Sequence, residues 1–444
     1  MNSIVKAKQL LLAVGDAFLL YLSLAATLAL RYDEPFSPAV LQPHFGPFTY
    51  IFIIWLLVFY ITGLYDLRYL KNNREFLRKI GLASLVNALI AILIFYAIPL
   101  TIAPKTNLFI LIVIAGFFGY LWRLFYNRIL SSQTPATNLL LIGDRDTTKE
   151  IADHLKKNPQ LGYAVKTWLK KGLADEEIDH LSEIILSDKI DLIVIPAHIK
   201  RDSRAARTIY RNLALGIETI DMASFCETIF GKVPVAELEE VWFLDHLINR
   251  HKVYELIKQP LEIIFALILT IILLPLLIII ALLIKLTSAG PASHQQKRVG
   301  QYGAEFVLHK FRTMIADAEK SGPQWSKPRD KRVTAIGRIL RASHLDELPQ
   351  LFNIIKGNLS FVGPRPERPE FTQKLSLAVP HYDLRHLIRP GITGWAQINY
   401  RYGASVADAY EKLQYDIYYL KNRSFWLDIG IILKTFKLFF TSAS

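Results

Sequence analysis

LEIIFALILTIILLPLLIIIALLIKL, residues 261–286, decides how this chain divides between membrane and water. As a helix the run is long enough to cross the roughly 30 Å hydrocarbon core of a bilayer. Its flanks argue for another path. Arg250, Lys252 and Lys258 precede it, and Lys285, Lys297 and Arg298 stand at or after its end. Lys and Arg gather on the cytoplasmic side, so basic flanks at both ends fit a segment that enters and returns on one face. Pro275, in mid-run, has no N–H and its ring clashes with the preceding turn, which kinks a helix. A full crossing would also leave everything beyond it outside the cell. The sequence therefore predicts a re-entrant helix pair over 261–286.

Toward the N-terminus lie four further apolar runs, Ala7–Leu30, Phe48–Leu64, Ile80–Leu100 and Leu108–Leu124. Each approaches the roughly 20 residues of a spanning helix. Lys6 and Lys8 stand at the start of the first, as in a signal peptide, but the run is longer than such a region and three more follow, so it is read as a retained helix. Arg68, Lys71, Arg74, Arg78 and Lys79 fill the second loop, and Arg123 and Arg128 stand at and after the end of the fourth run. The first loop sets Arg31 against Asp33 and Glu34, and the third holds only Lys105. This charge pattern predicts four spans with their ends and middle loop cytoplasmic.

The composition agrees with a protein of two textures: 52% of its 444 residues are hydrophobic and 20% are charged. The net charge of +13 is read as basic residues facing anionic headgroups and phosphate-bearing substrates, with no nucleic-acid partner. A single cysteine, Cys226, excludes an internal disulfide and a cysteine-based zinc cluster.

Beyond residue 137 the pattern changes. NLLLIG (Asn138–Gly143) reads as a buried strand followed by a helix over Thr147–Lys157. DLIVIP (Asp191–Pro196) repeats the strand, and Ala205–Leu215 reads as a helix. Apolar strands alternating with amphipathic helices indicate a small parallel α/β, Rossmann-like domain. Its first loop reads GDRD, without the further glycines of a dinucleotide site, and Asp144 and Asp146 would repel a pyrophosphate. A structural or regulatory role is therefore preferred there.

Most chemical information lies between Gly290 and Lys437. In LDELPQLFN (Leu345–Asn353), Pro349 cannot sit deep in a helix, so a helix must begin just before it. Asp346 and Glu347 then occupy the first turn, where exposed N–H groups keep a carboxylate ionised. Two acids in a first turn serve equally well as capping residues. HKFRTM (His309–Met314) places Lys310 and Arg312 on one face of a short strand. VGPRP braces Arg365 between prolines, and RPGITGWAQ begins with Arg389. A guanidinium in a rigid turn binds phosphate oxygens with little entropy loss. Cations in rigid turns around an acidic pair point to a phosphate site with a divalent metal.

The stretch from Gly290 to Lys437 resembles the catalytic domain of the bacterial monotopic phosphoglycosyl transferases. The matching motifs are Gly290–Pro291, QKRVGQYGAEFVLHKFRTM, HLDELPQLFNIIKGNLSFVGPRP, RPGITGWAQINYRYGAS and EKLQYDIYYLKNRSFWLDIGIILKTFK. With four spans and an α/β domain ahead of it, the chain is similar to the large, exopolysaccharide-priming branch. The resemblance implies transfer of hexose 1-phosphate, glucose or galactose leading, from a UDP-sugar to undecaprenyl phosphate with release of UMP. It implies that Asp346 attacks the sugar-bearing phosphate, that Glu347 holds Mg²⁺, and that Lys310, Arg312 and Arg365 neutralise phosphate charge. It also implies a bacterial inner-membrane protein with its catalytic domain at the cytoplasmic face, in contact with membrane lipids and with a homodimer as a further expectation. Leu274 before Pro275, His344 before Leu-Asp-Glu, and ASHQQ after Gly290–Pro291 depart from the commoner family residues.

The expected architecture is a membrane α-helical bundle of four spans (1–130), an α/β Rossmann-like domain (138–247) and a mixed α+β catalytic domain with a re-entrant membrane helix (255–444). Two other readings remain at this stage. A membrane-anchored nucleotide sensor would not need the intact Asp346–Glu347 pair. A transporter would place ionisable residues inside the spans, where Asp16 stands nearly alone. The tail from Phe425 to Phe440 reads as an interfacial helix or a core helix.

Overall fold

The computed structural model describes residues 3–66, 72–97, 105–132, 137–170, 180–197, 199, 203–247, 251–315, 330, 332–400, 403 and 405–441. The chain forms two compact units, Met1–Ile229 and Phe230–Ser444.

In the first unit the apolar runs form α1 (Ser3–Arg31), α2 (Pro38–Thr62), α3 (Arg74–Ala97) and α4 (Lys105–Ser132). Leu20, Leu24 and Leu28 of α1 pack with Phe48, Ile51, Phe52 and Trp55 of α2 and with Leu108 and Leu111 of α4. Leu11, Phe18, Ile53, Leu93 and Phe109 face outward. Apolar side chains both inside and outside are what a helix in lipid requires. Asp16 is buried against Arg123, which also donates to the Leu64 carbonyl. The acid thus ties α1 to α4.

A parallel four-stranded sheet follows, in the order β2-β1-β3-β4. Its strands are β1 (Thr137–Ile142), β2 (Tyr163–Leu169), β3 (Leu192–Ile195) and β4 (Glu218–Asp221). Leu139 to Ile142 are completely buried, because helices cover both faces of such a sheet and its central strand reads as a continuous apolar run. The helices are α5 (Asp146–Lys157), α6 (Leu181–Ser187), α7 (Ser203–Asn212) and α8 (Met222–Phe230). The helix expected to reach Leu215 stops at Asn212, and its last residues form a 3-10 turn that closes on Gly216 at φ +79°. That left-handed position costs glycine little.

The second unit begins earlier than the expected 255. Val233, Val235 and, on α9 (Glu240–Leu247), Phe243 and Leu247 are buried in one core with Leu413, Ile417 and Leu420. The sequence reading places Val233, Val235, Phe243 and Leu247 in the α/β domain; their packing puts them in the second unit.

Residues 261–286 lie within one continuous helix, α10 (Lys252–Thr287), of 36 residues. The expected pair of helices is corrected on this point: Pro260 and Pro275 both lie inside it. Tertiary contact holds the turns around Pro275. Ala266, Leu269 and Leu273 pack with Phe306, Leu308, Leu351 and Ile354. Leu277, Ile280 and Ile284 pack with Phe311 and Leu340. One stripe of α10 is thus buried along nearly its whole length against its own unit, while Leu256, Ile271, Leu282 and Leu286 face outward. Five described helices, α1–α4 and α10, are long and apolar enough to cross a membrane.

The rest of the unit is built on two small sheets. β5 (Ser293–Val299) and β6 (Glu305–Phe311) form an antiparallel hairpin, and β7 (Ser360–Val362) pairs in parallel with β8 (Gly391–Thr393). Around them lie α11 (Ala335–Ala342), α12 (Leu351–Ile355), α13 (Pro369–Ala378), α14 (Trp395–Asn399), α15 (Val406–Asn422) and α16 (Phe425–Thr441). α16 buries Ile431 and Asp428 and exposes Trp426, so it has both a packed face and an outward apolar face.

Candidate active site

A cleft of about 580 Å³ opens between the β5–β6 hairpin, α11, the turn before α12 and the loop after β7. Its described lining holds Arg298, Lys310, Arg312, Arg332, Arg341, Arg365, Arg368 and Lys412 against only Asp346, Glu347 and Glu367. Such a cleft concentrates polyanions.

The acidic pair sits in a 3-10 turn, Leu345–Gln350, that runs directly into α12. Pro349 falls inside this turn, where its missing N–H matters little, as the sequence required. His344 opens the turn at φ +54°. That left-handed backbone is uncommon for a residue with a Cβ, and strain of this kind clusters at functional sites. It reverses the chain after α11 and aims Asp346 and Glu347 at the hairpin.

Lys310, in β6, donates to Glu347 Oε1 at 2.7 Å, and Arg365 Nη2 donates to the same oxygen at 3.1 Å. Burial pushes the Glu347 carboxyl up, but Arg365 and Lys310 outweigh it and hold the group at about 2. Burial, followed by the charge of Glu347, pushes Asp346 above the ordinary carboxylate range. Adjacent acids are thereby driven apart in proton affinity. Among the described residues none donates a hydrogen bond to Asp346. Burial lowers the Lys310 ammonium, and Glu347 opposes that effect.

Arg365 is braced by its neighbours. Its carbonyl accepts from the buried Arg385, which pairs with Asp416 at 2.9 Å. Arg298 donates to the Pro366 carbonyl at 3.0 Å. Just before, a Cβ on Gly363 would stand 2.5 Å from the Arg389 carbonyl, so only glycine lets the two backbones meet there.

The structure gathers Lys310, Arg312, Asp346, Glu347 and Arg365 in the cleft. Arg312 lies one residue beyond β6 and donates to the carbonyl and hydroxyl of Ser288, at the end of α10. Arg389 is elsewhere. It is buried beside Glu255 (3.4 Å) and Glu262 (3.8 Å) of α10, because its Gly/Pro loop leads into β8 on the side of that helix. Arg332, Arg341, Arg368 and Lys412 carry no sequence expectation, and Arg298 is read there only as a basic flank of the apolar run. A readable signal existed for Arg341, five residues before Asp346 in the last turn of α11; the others reach the cleft only through tertiary folding.

No group of three or more His, Cys, Asp or Glu side chains able to hold a metal occurs among the described residues. The protein can still offer hard oxygen from Glu347, with Asp346 alongside. That donor class fits Mg²⁺, which keeps several waters and takes its other ligands from substrate phosphates.

The sequence model of the family described as Bacterial sugar transferase matches residues 253–442. The chain is 37% identical over 264 residues to the UDP-N-acetylgalactosamine-undecaprenyl-phosphate N-acetylgalactosaminephosphotransferase of Aeromonas hydrophila, covering 58% of this chain and 62% of that one. It thus spans less than two thirds of that relative. To the UDP-glucose:undecaprenyl-phosphate glucose-1-phosphate transferase of Xanthomonas campestris pv. campestris it is 30% identical over 338 residues, covering 71% and 69%. A protein of the same description from Caulobacter vibrioides is 41% identical over 185 residues, covering 41% of this chain and 68% of its own.

Proposed function

This chain belongs to the bacterial sugar transferase family, and on that basis we propose that it transfers a hexose 1-phosphate from a UDP-sugar to undecaprenyl phosphate, releasing UMP. The observation that carries the reading is the split acidic pair in a cationic cleft: Asp346 without a described hydrogen-bond donor, beside a Glu347 clamped by Lys310 and Arg365.

In the proposed reaction a carboxylate oxygen of Asp346 attacks the sugar-bearing phosphorus. The bond from that phosphorus to the bridging oxygen breaks, UMP leaves with the electron pair, and an aspartyl phosphosugar remains. A phosphate oxygen of the lipid then attacks the same phosphorus, and the acyl–phosphate bond breaks to restore Asp346. Lys310 and Arg365 face the equatorial oxygens, where charge is greatest in a loose transition state. Glu347 would hold Mg²⁺, which when bound supplies further charge neutralisation to the diphosphate.

The membrane arrangement is part of the proposal. A 36-residue helix is about 54 Å long, well beyond a bilayer core. Both ends of α10 pack on one unit: Lys258 donates to the Val362 carbonyl, and Ile284 packs with Phe311 and Leu340. This supports a helix embedded from one face, with both flanks cytoplasmic and the cleft beside the headgroups. α1–α4 are then four spans, the parallel sheet a Rossmann-like domain, and the product the primer of an exopolysaccharide in the bacterial inner membrane. A homodimer is part of the same proposal.

The test is UMP release by the membrane-reconstituted protein supplied with undecaprenyl phosphate, Mg²⁺ and UDP-glucose, UDP-galactose or UDP-N-acetylgalactosamine. Release that requires Asp346 is expected. Full release by Asp346→Asn would overturn the nucleophile assignment, and no release from any donor would overturn the transferase reading.

A further inference from the structure

One end of the cleft differs in character from the rest. There a recess of about 40 Å³ enters between α13, the 3-10 turn Tyr382–Leu387 and α15, and shares Glu367, Phe371 and Lys412 with the main cleft. Phe371, Leu375 and Ala409 line it together with Tyr382, 2% exposed, beside the charged Glu367, Arg385 and Lys412. Elsewhere the lining is dominated by charge. The recess is rigid, because the Tyr382 hydroxyl accepts from the buried Arg385 at 2.6 Å, and Arg385 is fixed to Asp416.

We infer that this recess takes the uracil base of the donor nucleotide and that Glu367 makes the site selective for uracil over cytosine. The inference rests on the UDP-sugar reading above. A pyrimidine needs flat apolar walls for its faces and polar groups for its edge, with the diphosphate directed toward cations. Phe371 and Tyr382 can border the ring as it enters edge-first from the cleft. Along its pairing edge uracil presents O4 acceptor, N3–H donor and O2 acceptor. Glu367 supplies an acceptor, with Lys412 and Arg368 lining the same cleft as donors. Its carboxylate accepts no hydrogen bond from the described residues, and its nearest ion-pair contact, Arg298, stands 3.7 Å away. Cytosine carries a lone pair at N3 in place of the N–H, so its ring nitrogen would face the carboxylate without a proton between them. A site that hydrogen-bonds one partner rejects the analogue that leaves its polar group unpaired. The loop holding Glu367 also carries Arg365 two residues earlier, so base and diphosphate are read by one braced segment.

The experiment is equilibrium binding of UMP and CMP to the full-length, reconstituted Asp346→Asn protein, which excludes turnover. UMP is expected to bind on the order of tenfold more tightly than CMP. Glu367→Gln, whose amide can present either an N–H or a carbonyl, should bring the two within about twofold. Phe371→Ala should weaken both by roughly tenfold, and Phe371→Leu, which keeps apolar volume but loses the flat ring, should do the same if the alanine protein does not fold. UMP binding indifferent to Phe371, or a UMP preference that survives Glu367→Gln, would overturn the recess while leaving the transferase reading intact. Loss of UMP binding with retention of another nucleoside monophosphate would overturn the UDP-sugar reading itself.

Discussion

Lys258 of α10 donates to the carbonyl of Val362 at 2.9 Å, and Val362 stands three residues before Arg365. The same ammonium meets Asp428 at 2.9 Å and Glu262 at 3.8 Å in the interior of the second unit. The long apolar helix is therefore bonded to the strand that leads to Arg365 in the cationic cleft.

Removing that ammonium by Lys258→Met would take from Asp428 its cation and leave Glu262 with Arg389 alone, at 3.8 Å. A loss of about 3–5 kcal/mol is expected, the usual cost of breaking a buried pair on one side. Thermal melting in nanodiscs measures it, and turnover should fall because the Val362 carbonyl loses its bond to α10. An unchanged melting temperature would show that the cluster does not hold α10 to the core.

Glu347→Gln removes the charge that Lys310 and Arg365 share. Turnover should fall roughly a hundredfold, the scale seen when one preorganised electrostatic group is lost, and the Mg²⁺ titration should shift to higher concentration. A normal metal titration would contradict the assignment of Glu347 as the metal-holding group.

Stability should depend on His386. Burial, with the neighbouring charge of Arg385, pulls its imidazole down to about 4, against about 6.5 in an unfolded chain. Between those values the unfolded state binds more protons, so stability rises with pH there. The contribution is fully present above pH 6.5 and is lost as pH falls toward 4, by roughly 3 kcal/mol. His386→Asn should flatten the melting temperature across that window. An equally steep profile would place the dependence on another group.

Topology can be read by labelling. In a Cys226→Ala background, Val253→Cys and Ala289→Cys mark outward positions at the two ends of α10. Both should react with a membrane-impermeant reagent from the cytoplasmic side alone. Reaction of one from the opposite side would make α10 a full crossing.

The sequence by itself determined the parts whose signal is local. Long apolar runs need only consecutive residues to be read, and α1–α4 and α10 follow them. β1 and β3 were legible because a strand buried on both faces is apolar throughout. Asp346 and Glu347 stood out because Pro349 dictates where a helix can begin. Tertiary structure alone decided the rest. α10 continues through Pro275, against the local preference of proline, because Leu273 and Leu277 on either side are packed on the core of the second unit. Arg365 and Arg389 look alike in sequence, each beside proline in a glycine-containing loop, yet one reaches Glu347 and the other is buried beside Glu255 and Glu262. Which cation meets which carboxylate depends on contacts between residues far apart in the chain, and local pattern carries no record of such pairings.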